Sequence, residues 1–423
     1  MLRRMWRRRP VNTQIRALLA VLGPGIIAAS AGNDAGGVTT YSSAGAAYGY
    51  NLLWVLFLLT FSLTIAQEMG ARMAAVTGKG LADLIREEFG VRVTMFAMAA
   101  LVVANVGTTV ANFAGIAAVA EMVLPRDARL WVVPVIEGGI WLLVARGSYR
   151  RVERVFLALC LVYLTYVVAA IAAEPPWGLV LRRTVVPDFR SLPADAAYLT
   201  MVVALVGTTI APWMQFYLQS SVRDKRITVE SYPLERMDVT AGAVLSNVIS
   251  FFIVVTCGAV LHAQSARVET VADLAGALQF LGPAGSWLFG IGLFNAAMVG
   301  ASIVPLSTAY AVTESLGWES GLGRRIREAP LFIGVYTVVI VLSALLILVP
   351  GISLLGVIVA AQVVNGFLLP VVLVLMVRLI NKRRLMGEHV NSGLYNIVAW
   401  TTVAAVAGVS LIYVAVTLVD ILT

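Results

Sequence analysis

The chain has 423 residues, of which 60% are hydrophobic and 13% are charged, and its formal net charge is +8. A soluble domain carries about a quarter charged residues, and apolar runs of about 20 residues recur here along the whole length. The composition therefore excludes a soluble globular protein and indicates a polytopic α-helical membrane protein. The basic N-terminus leads into an apolar stretch that is too long for a signal peptide and has no cleavage site.

Eleven stretches are apolar and long enough to cross a bilayer, and they define the predicted fold. They lie near residues 17–45, 51–77, 94–124, 130–145, 152–173, 196–220, 240–263, 287–316, 331–349, 352–380 and 396–421. No connection between them is long enough for a separate soluble domain. We therefore expect a single membrane domain over residues 1–423. A short surface helix is expected within the connection 263–286.

The basic residues predict the orientation in the membrane. If the N-terminus is cytoplasmic, 25 of the 31 lysines and arginines fall on the inner side and six on the outer side. Positive charge is enriched on the cytoplasmic side of membrane proteins. We therefore expect a multi-pass protein of the cell membrane with its N-terminus in the cytoplasm and its C-terminus outside. The same placement accounts for the net charge without a nucleic-acid partner.

The first span contains the residues Gly32-Asn33-Asp34-Ala35-Gly36-Gly37. Each glycine costs about 1 kcal/mol relative to alanine in a helix. A carboxylate at that depth costs at least ~2.5–3.5 kcal/mol. These residues predict a broken helix whose unwound backbone holds Asp34 beside a cavity. A second role for Asp34, as the N-cap of the following half-helix, is compatible with the first.

The sixth span repeats this irregularity, because Gly207, Thr208 and Thr209 precede Pro212. Proline removes a backbone donor and disfavours helix for the residue before it, Ala211. Spans 1 and 6 occupy matching places in two five-helix halves, 17–173 and 196–380, with 396–421 as an accessory helix. Because each half has an odd number of helices, the two halves have opposite topology. This is the LeuT-like inverted-repeat plan, in which two broken helices form a site at mid-membrane. An ordinary kink is the alternative for either break alone.

Asp34 is the only acidic residue deep in span 1, and span 6 has none. Unwound carbonyl groups at Ala31 and near Thr208 would add neutral oxygen ligands. One carboxylate with neutral oxygens suits a hard cation such as Mg2+, Ca2+ or Mn2+. An anionic substrate is disfavoured, although the N-terminus of a half-helix attracts anions.

Other polar groups within the spans have both a structural and a functional interpretation. Gln362 and Asn365 share one face of span 10, where they either hydrogen-bond between helices or contribute to ion hydration. Span 3 carries a polar stripe that we expect mainly to join helices; it consists of Asn105, Thr108, Thr109 and Asn112. The remaining candidates are acids near helix ends, histidines at membrane edges and buried thiols, namely Glu68, Glu137, His262, His389, Cys160 and Cys257.

Several motifs together resemble the Nramp family of divalent-metal transporters, over spans 1 to 10. They are Gly23-Pro24 with Asp34-Ala35-Gly36-Gly37, GYNLLW from Gly49, VTGKGLA from Val76, Gly207-Thr208-Thr209-Ile210-Ala211-Pro212-Trp213, Gln362-Val363-Val364 and MGEHVN from Met386. The resemblance implies that Asp34 is a metal ligand. The departures from the family pattern are equally informative.

The resemblance implies that most of the family's other functional side chains are replaced here. The asparagine ligand falls on Gly37 and the methionine ligand on Ala211. The first histidine of span 6 falls on Trp213, and the second on Leu218 or Gln219. The acidic positions linked with proton movement fall on Thr109 and Asn112, and span 9 lacks the family's arginines. Such a pattern is similar to the Nramp-related magnesium transporter branch.

This resemblance implies import of partly hydrated Mg2+, and also Mn2+, without proton coupling. Ala211 and Gly37 would set the width of the cavity, and Gln362 and Asn33 would hold the hydration shell. The transported ion is the substrate; we expect no resident cofactor and no obligate protein partner. The alternatives are a proton-coupled Mn2+/Fe2+ transporter, an amino-acid or amine symporter on the same scaffold, and an ion channel. An enzyme is disfavoured because the chain has no HExxH, GxSxG or P-loop motif.

Overall fold

The computed structural model describes residues 23–146, 155, 158, 163–188, 195–322, 324 and 326–422. Over these residues the regular structure is entirely helical. The α-helices are α1 Pro24–Ser30, α2 Ala35–Tyr48, α3 Leu53–Thr77, α4 Leu81–Val123, α5 Arg129–Arg146, α6 Leu164–Ala172, α7 Trp177–Val185, α8 Ala196–Thr209, α9 Pro212–Asp224, α10 Tyr232–Cys257, α11 Val271–Leu274, α12 Pro283–Leu316, α13 Pro330–Ile347, α14 Leu354–Ile380, α15 Arg383–Met386 and α16 Gly393–Leu422.

Both predicted breaks are present. Helices α1 and α2 are separated by the 3-10 turn Ala31–Asn33 and by Asp34, whose backbone is extended. Helices α8 and α9 are separated by Ile210 and Ala211, and Pro212 begins α9. A proline at the first helical position is favourable because its missing N–H would have had no partner there.

Eight of the described helical segments are long and apolar enough to cross a membrane. Most predicted boundaries agree to within a few residues, and two starts differ by more. Helix α10 begins at Tyr232 rather than near residue 240. Helix α4 begins at Leu81 rather than near residue 94, with a bend at Gly90, where φ is 78°. Helix α7 lies in the connection between spans 5 and 6, where we predicted no element. The start of span 1, residues 152–154 of span 5 and Cys160 lie outside the described residues.

The first half of the sixth span packs very closely on α14. A Cβ atom added to Gly207 would lie 2.9 Å from the Cα atom of Gly366, a separation that real side chains essentially never show. Glycine at 207 therefore allows two backbones to meet without a side chain between them. This contact fixes α14, with Gln362, against the broken span.

We call the end of the bundle where α3 leads into α4, and α9 into α10, the first face, and the opposite end the second face. At the first face, Asp238 of α10 holds the start of α1. Its two carboxylate oxygens accept hydrogen bonds from the N–H groups of Gly23 at 3.1 Å and Gly25 at 2.7 Å. The first N–H groups of a helix have no intrahelical partner, and a carboxylate there also complements the helix dipole.

A second group of charges joins α4, α9 and α12 at the first face. Arg223 lies 2.9 Å from Glu314 and 3.5 Å from Asp83. The side chain of Asp224 contacts Arg223 and accepts a hydrogen bond of 2.6 Å from the hydroxyl of Tyr310. We call these five residues the Arg223 cluster. The cluster therefore ties α4, α9 and α12 together across the first face.

Glu68, a minor candidate for the ion site, has a structural role. Its carboxylate lies 3.1 Å from Arg72 and accepts a hydrogen bond from the hydroxyl of Tyr232. Arg72 in turn donates to Asn391, which precedes α16. The ion pair between Glu68 and Arg72 therefore connects α3 with α10 and with the segment that precedes α16.

We expect Asp238→Asn to lower the free energy of unfolding by about 1 kcal/mol, since hydrogen bonds to a charged acceptor are stronger than those to a neutral amide. Thermal unfolding of the purified protein in detergent measures this. Glu230→Gln is the matched control, because Glu230 lies exposed in the loop before α10. Equal stability of Asp238→Asn and the wild type would contradict the role assigned to Asp238.

Candidate functional site

Asp34 lies between α1 and α2 and is 2% exposed. Its Oδ1 accepts a hydrogen bond of 2.8 Å from the N–H of Gly37, so Asp34 is also the N-cap of α2. Its Oδ2 accepts a hydrogen bond of 2.8 Å from Nδ2 of Asn112. Both of these donors are neutral, and each carboxylate oxygen has a further lone pair. The carboxylate is therefore fixed in position while its negative charge remains uncompensated by these contacts.

Asn112 of α4 has a role that the sequence analysis did not find. Its Oδ1 accepts a hydrogen bond of 3.1 Å from the N–H of Ala35, which in a continuous helix would donate to the Ala31 carbonyl. The same amide lies so close to Gly300 that a Cβ there would come within 2.5 Å of Asn112 Cγ. Asn112 thus stabilises the break in span 1 and positions the carboxylate of Asp34.

Thr208, just before the break in span 6, lies next to the break in span 1. Its carbonyl would normally accept from residue 212, but Pro212 has no N–H. A Cβ on Gly32 would lie 3.8 Å from the Thr208 carbonyl oxygen, and one on Gly37 would lie 3.4 Å from Thr208 Oγ1. That hydroxyl is buried without a hydrogen-bond partner among the described residues. Thr208 therefore offers both a carbonyl and a hydroxyl oxygen where the two breaks meet.

Gln362 and Asn365 form the α14 side of the site. A Cβ on Gly36 would lie 2.7 Å from Gln362 Cδ and 3.0 Å from Asp34 Oδ1, so the amide and the carboxylate are neighbours across Gly36. Nδ2 of Asn365 donates to Gln362 Oε1 at 3.2 Å. Gln362 Nε2 and Asn365 Oδ1 are buried without hydrogen-bond partners in the described part of the chain.

A methionine thioether also reaches this region. Met214 of α9 is fully buried, and a Cβ on Gly32 would lie 3.4 Å from its Sδ. We predicted a site without sulfur because Ala211 occupies the family's methionine position. That expectation considered only position 211 and overlooked a side chain less than one turn further along α9.

Three of the predicted positions face elsewhere. The Asn33 amide donates to Ser246 and accepts from Ser250, both on α10, so its atoms are used away from the carboxylate. Trp213 is 1% exposed and packed in the core. The Thr109 hydroxyl donates to the Asn105 carbonyl within α4. A hydration role for Asn33 therefore has no support in its contacts, and we do not assign it one.

The site is closed in this conformation, whereas we expected a cavity whose width Ala211 and Gly37 would set. Ala31, Thr208, Ala211 and Gln362 are each at most 2% exposed. The Cβ direction of Gly37 is occupied by the carbonyl of Gly32, so glycine allows close backbone approach there instead of adding space. A cavity near the second face reaches α2, α8 and α14; its lining includes Ala47, Met201 and Val359.

The histidines do not contribute. Among the described residues, no group of three or more His, Cys, Asp or Glu side chains could hold a metal ion. His262 lies near the second face, 3.1 Å from the Ala46 carbonyl, and Cys257 is a buried free thiol. The site thus consists of one carboxylate, neutral oxygens and amides, and one nearby thioether.

Comparison with known proteins matches residues 25–416 to the family model described as "Natural resistance-associated macrophage protein-like". Among curated relatives, the divalent metal cation transporter MntH of Burkholderia ambifaria is 29% identical over 410 residues, covering 94% of this chain and 89% of that protein. The MntH protein of Bacillus subtilis is 26% identical, covering 91% of this chain and 87% of that protein.

Solved structures show the same fold. A mutant of the Eremococcus coleocola manganese transporter superposes with a TM-score of 0.79 at 19% identity, covering 96% of this chain and 87% of that one. MhsT in complex with L-phenylalanine gives a TM-score of 0.60 at 12% identity, covering 93% of this chain and 97% of that one. The predicted all-helical LeuT-like inverted-repeat fold is confirmed. This multi-pass membrane protein belongs to the Nramp family, whose members are divalent-metal transporters and not enzymes.

Proposed function

We propose that this transporter carries partly hydrated Mg2+, and also Mn2+, into the cell without coupling to protons. The observation that carries the proposal is the set of atoms around Asp34. One carboxylate is held by the neutral donors Asn112 and Gly37, beside oxygens of Thr208 and the amide of Gln362. Hard oxygen ligands suit Mg2+ and Mn2+.

Mg2+ is expensive to dehydrate and is normally bound through one or two carboxylates while it keeps several waters. A single carboxylate therefore matches its needs. The buried Thr208 hydroxyl and the Gln362 and Asn365 amides have atoms without described partners, which could hydrogen-bond to the waters of the ion. In the closed conformation these atoms would have to move apart to admit the ion and its waters, because Asp34, Thr208 and Gln362 are each at most 2% exposed.

The lack of proton coupling is supported by what touches the carboxylate. The side chain that contacts Asp34 is Asn112, an amide, where the resemblance implies an acidic residue. Thr109 and Trp213 likewise cannot exchange protons at ordinary pH. With the N-terminus and the first face in the cytoplasm, the membrane potential favours entry of a divalent ion by about 4.6 kcal/mol per 100 mV.

One observation favours a second candidate, a proton-coupled Mn2+/Fe2+ transporter. Met214 places a thioether at Gly32, and thioethers select softer metals than Mg2+. The relatives named above include a manganese transporter. The two candidates make different predictions. The second expects Met214 to contribute to transport of softer metals and expects protons to move with the metal.

Asp34→Asn is expected to abolish Mg2+ uptake into proteoliposomes, because it removes the negative charge of the proposed ion site. Asparagine still caps α2, so the local structure should be retained. The matched control is Asp195→Asn, since Asp195 caps α8 by the same contact, accepting from Tyr198 N–H at 2.8 Å. A pH-sensitive dye in the lumen should show no acidification during wild-type uptake. Metal uptake that survives in Asp34→Asn would remove the assignment, and acidification would favour the second candidate.

Asn112→Ala should weaken metal binding by about tenfold or more, because a hydrogen bond that holds a charged ligand is lost. Isothermal titration with Mn2+ in detergent measures the affinity. Asn105→Ala is the control: Asn105 lies on the same stripe of α4 but donates to Thr308 at 2.9 Å. Equal losses of affinity in both variants would show that the effect is a general weakening of α4.

Met214→Leu should leave Mg2+ uptake unchanged, because leucine conserves the volume of the side chain and Mg2+ does not need sulfur. Uptake of Mg2+, Mn2+ and Cd2+ is compared in the same vesicles. A fall in Mn2+ and Cd2+ uptake with Mg2+ unaffected would identify Met214 as a ligand and support the second candidate.

A further inference from the structure

Three glutamines between the site and the first face are buried without using their amides fully. Gln67 of α3 and Gln215 and Gln219 of α9 are each 0% exposed. Both amide atoms of Gln67 and of Gln215, and Oε1 of Gln219, have no hydrogen-bond partner among the described residues. Buried polar atoms in native proteins are almost always paired with protein or ordered water. We call these three residues the glutamine row.

The row follows one face of α9 away from the break. Gln215, Gln219 and Arg223 recur every four residues, so their side chains lie one above another along the helix. On α3, a Cβ on Gly70 would lie 3.9 Å from the Gln215 carbonyl oxygen, which places Gly70 against α9. Gln67 precedes Gly70 by three residues and shares its face of α3, one turn nearer the break.

The row ends at the Arg223 cluster. Nε2 of Gln219 donates to the Lys79 carbonyl at 3.1 Å, in the turn between α3 and α4. The next residue, Ser220, donates to Glu314 at 2.6 Å. One end of the row therefore begins just beyond Ala211, and the other reaches the charges at the first face.

We propose that the glutamine row is a second station for the hydrated divalent ion, between Asp34 and the first face. The inference rests on the proposed divalent-metal transport, but not on which metal is carried. Neutral amide oxygens accept hydrogen bonds from waters bound to a cation, as carboxylates do, but they add no charge that would hold the ion strongly. The ion keeps its waters, which avoids the cost of dehydrating it.

The neutral amides also suit passage of the ion without tight binding. A carboxylate at this place would bind a divalent ion and delay its release, and an apolar lining would oppose entry of a charged ion. A row of neutral amides avoids both effects. When the Arg223 cluster opens, the ion can continue into water.

The experiment uses Mn2+ as the probe and the double variant Gln67→Leu/Gln215→Leu. We expect Mn2+ affinity in detergent to match the wild type, because Asp34 and its contacts are unchanged. Uptake into proteoliposomes should fall about tenfold or more, since hydrogen bonds to a charged species are lost along the path. Thermal stability should be equal or higher, because unsatisfied buried amides have been removed.

Asn247→Leu is the matched control. Asn247 of α10 is 4% exposed and has an unpartnered amide oxygen, but it lines a cavity with Leu56 and Phe251 away from the row. Its uptake should equal the wild type. Wild-type uptake in the double variant, or an equal loss in Asn247→Leu, would overturn the proposal.

A second variant, Gln215→Glu, tests the station without loss of polarity. The added carboxylate should give a second equivalent of bound Mn2+ in titration and slower uptake. Unchanged stoichiometry and unchanged uptake would overturn the proposal. Equal Mn2+ uptake by the wild type and Asp34→Asn would overturn the proposed site at Asp34. The double variant would still decide whether the glutamine row is a station for the ion.

Discussion

The site depends on the carboxylate of Asp34, which is buried inside an apolar bundle. A buried charge is stable only when hydrogen bonds or a counter-ion replace the water it has lost. Asp34 receives two hydrogen bonds, one from its own helix and one from Asn112 of α4. The glycines on both sides of Asp34 and the proline after the second break bring backbone close enough to add further oxygens. In the proposed function, a divalent cation is the counter-ion that the described contacts of Asp34 do not supply.

The two breaks could be predicted from sequence because their causes are local. Gly32 and Gly37 lower helix propensity around an acid, and Pro212 removes a donor within one turn. The hydrogen bond from Asn112 to Asp34 could not be predicted in this way, since the two residues are 78 positions apart in the sequence. A polar stripe on a helix does not reveal which of its members meets which neighbour, and asparagine in such a stripe usually joins helices.

The differences between the expected and the observed site have the same origin. Asn33 precedes the ligand directly, but the 3-10 turn directs its side chain to α10, where Ser246 and Ser250 bind it. We expected Gly37 to help set the width of a cavity, because an absent side chain leaves room unless backbone fills it. Here the Gly32 carbonyl fills it. Position along a chain predicts where backbone unwinds; the direction of each side chain depends on tertiary packing.

The close approach of Gly207 to Gly366 has a consequence for movement. With no side chain between the two backbones, α8 and α14 cannot slide or separate without losing this close packing. They would move as one rigid body, and α2 is joined to them by the hydrogen bond of 3.0 Å between Tyr41 and Thr209. Any bending within span 6 would then occur at Ile210 and Ala211, the two non-helical residues that separate α8 from α9.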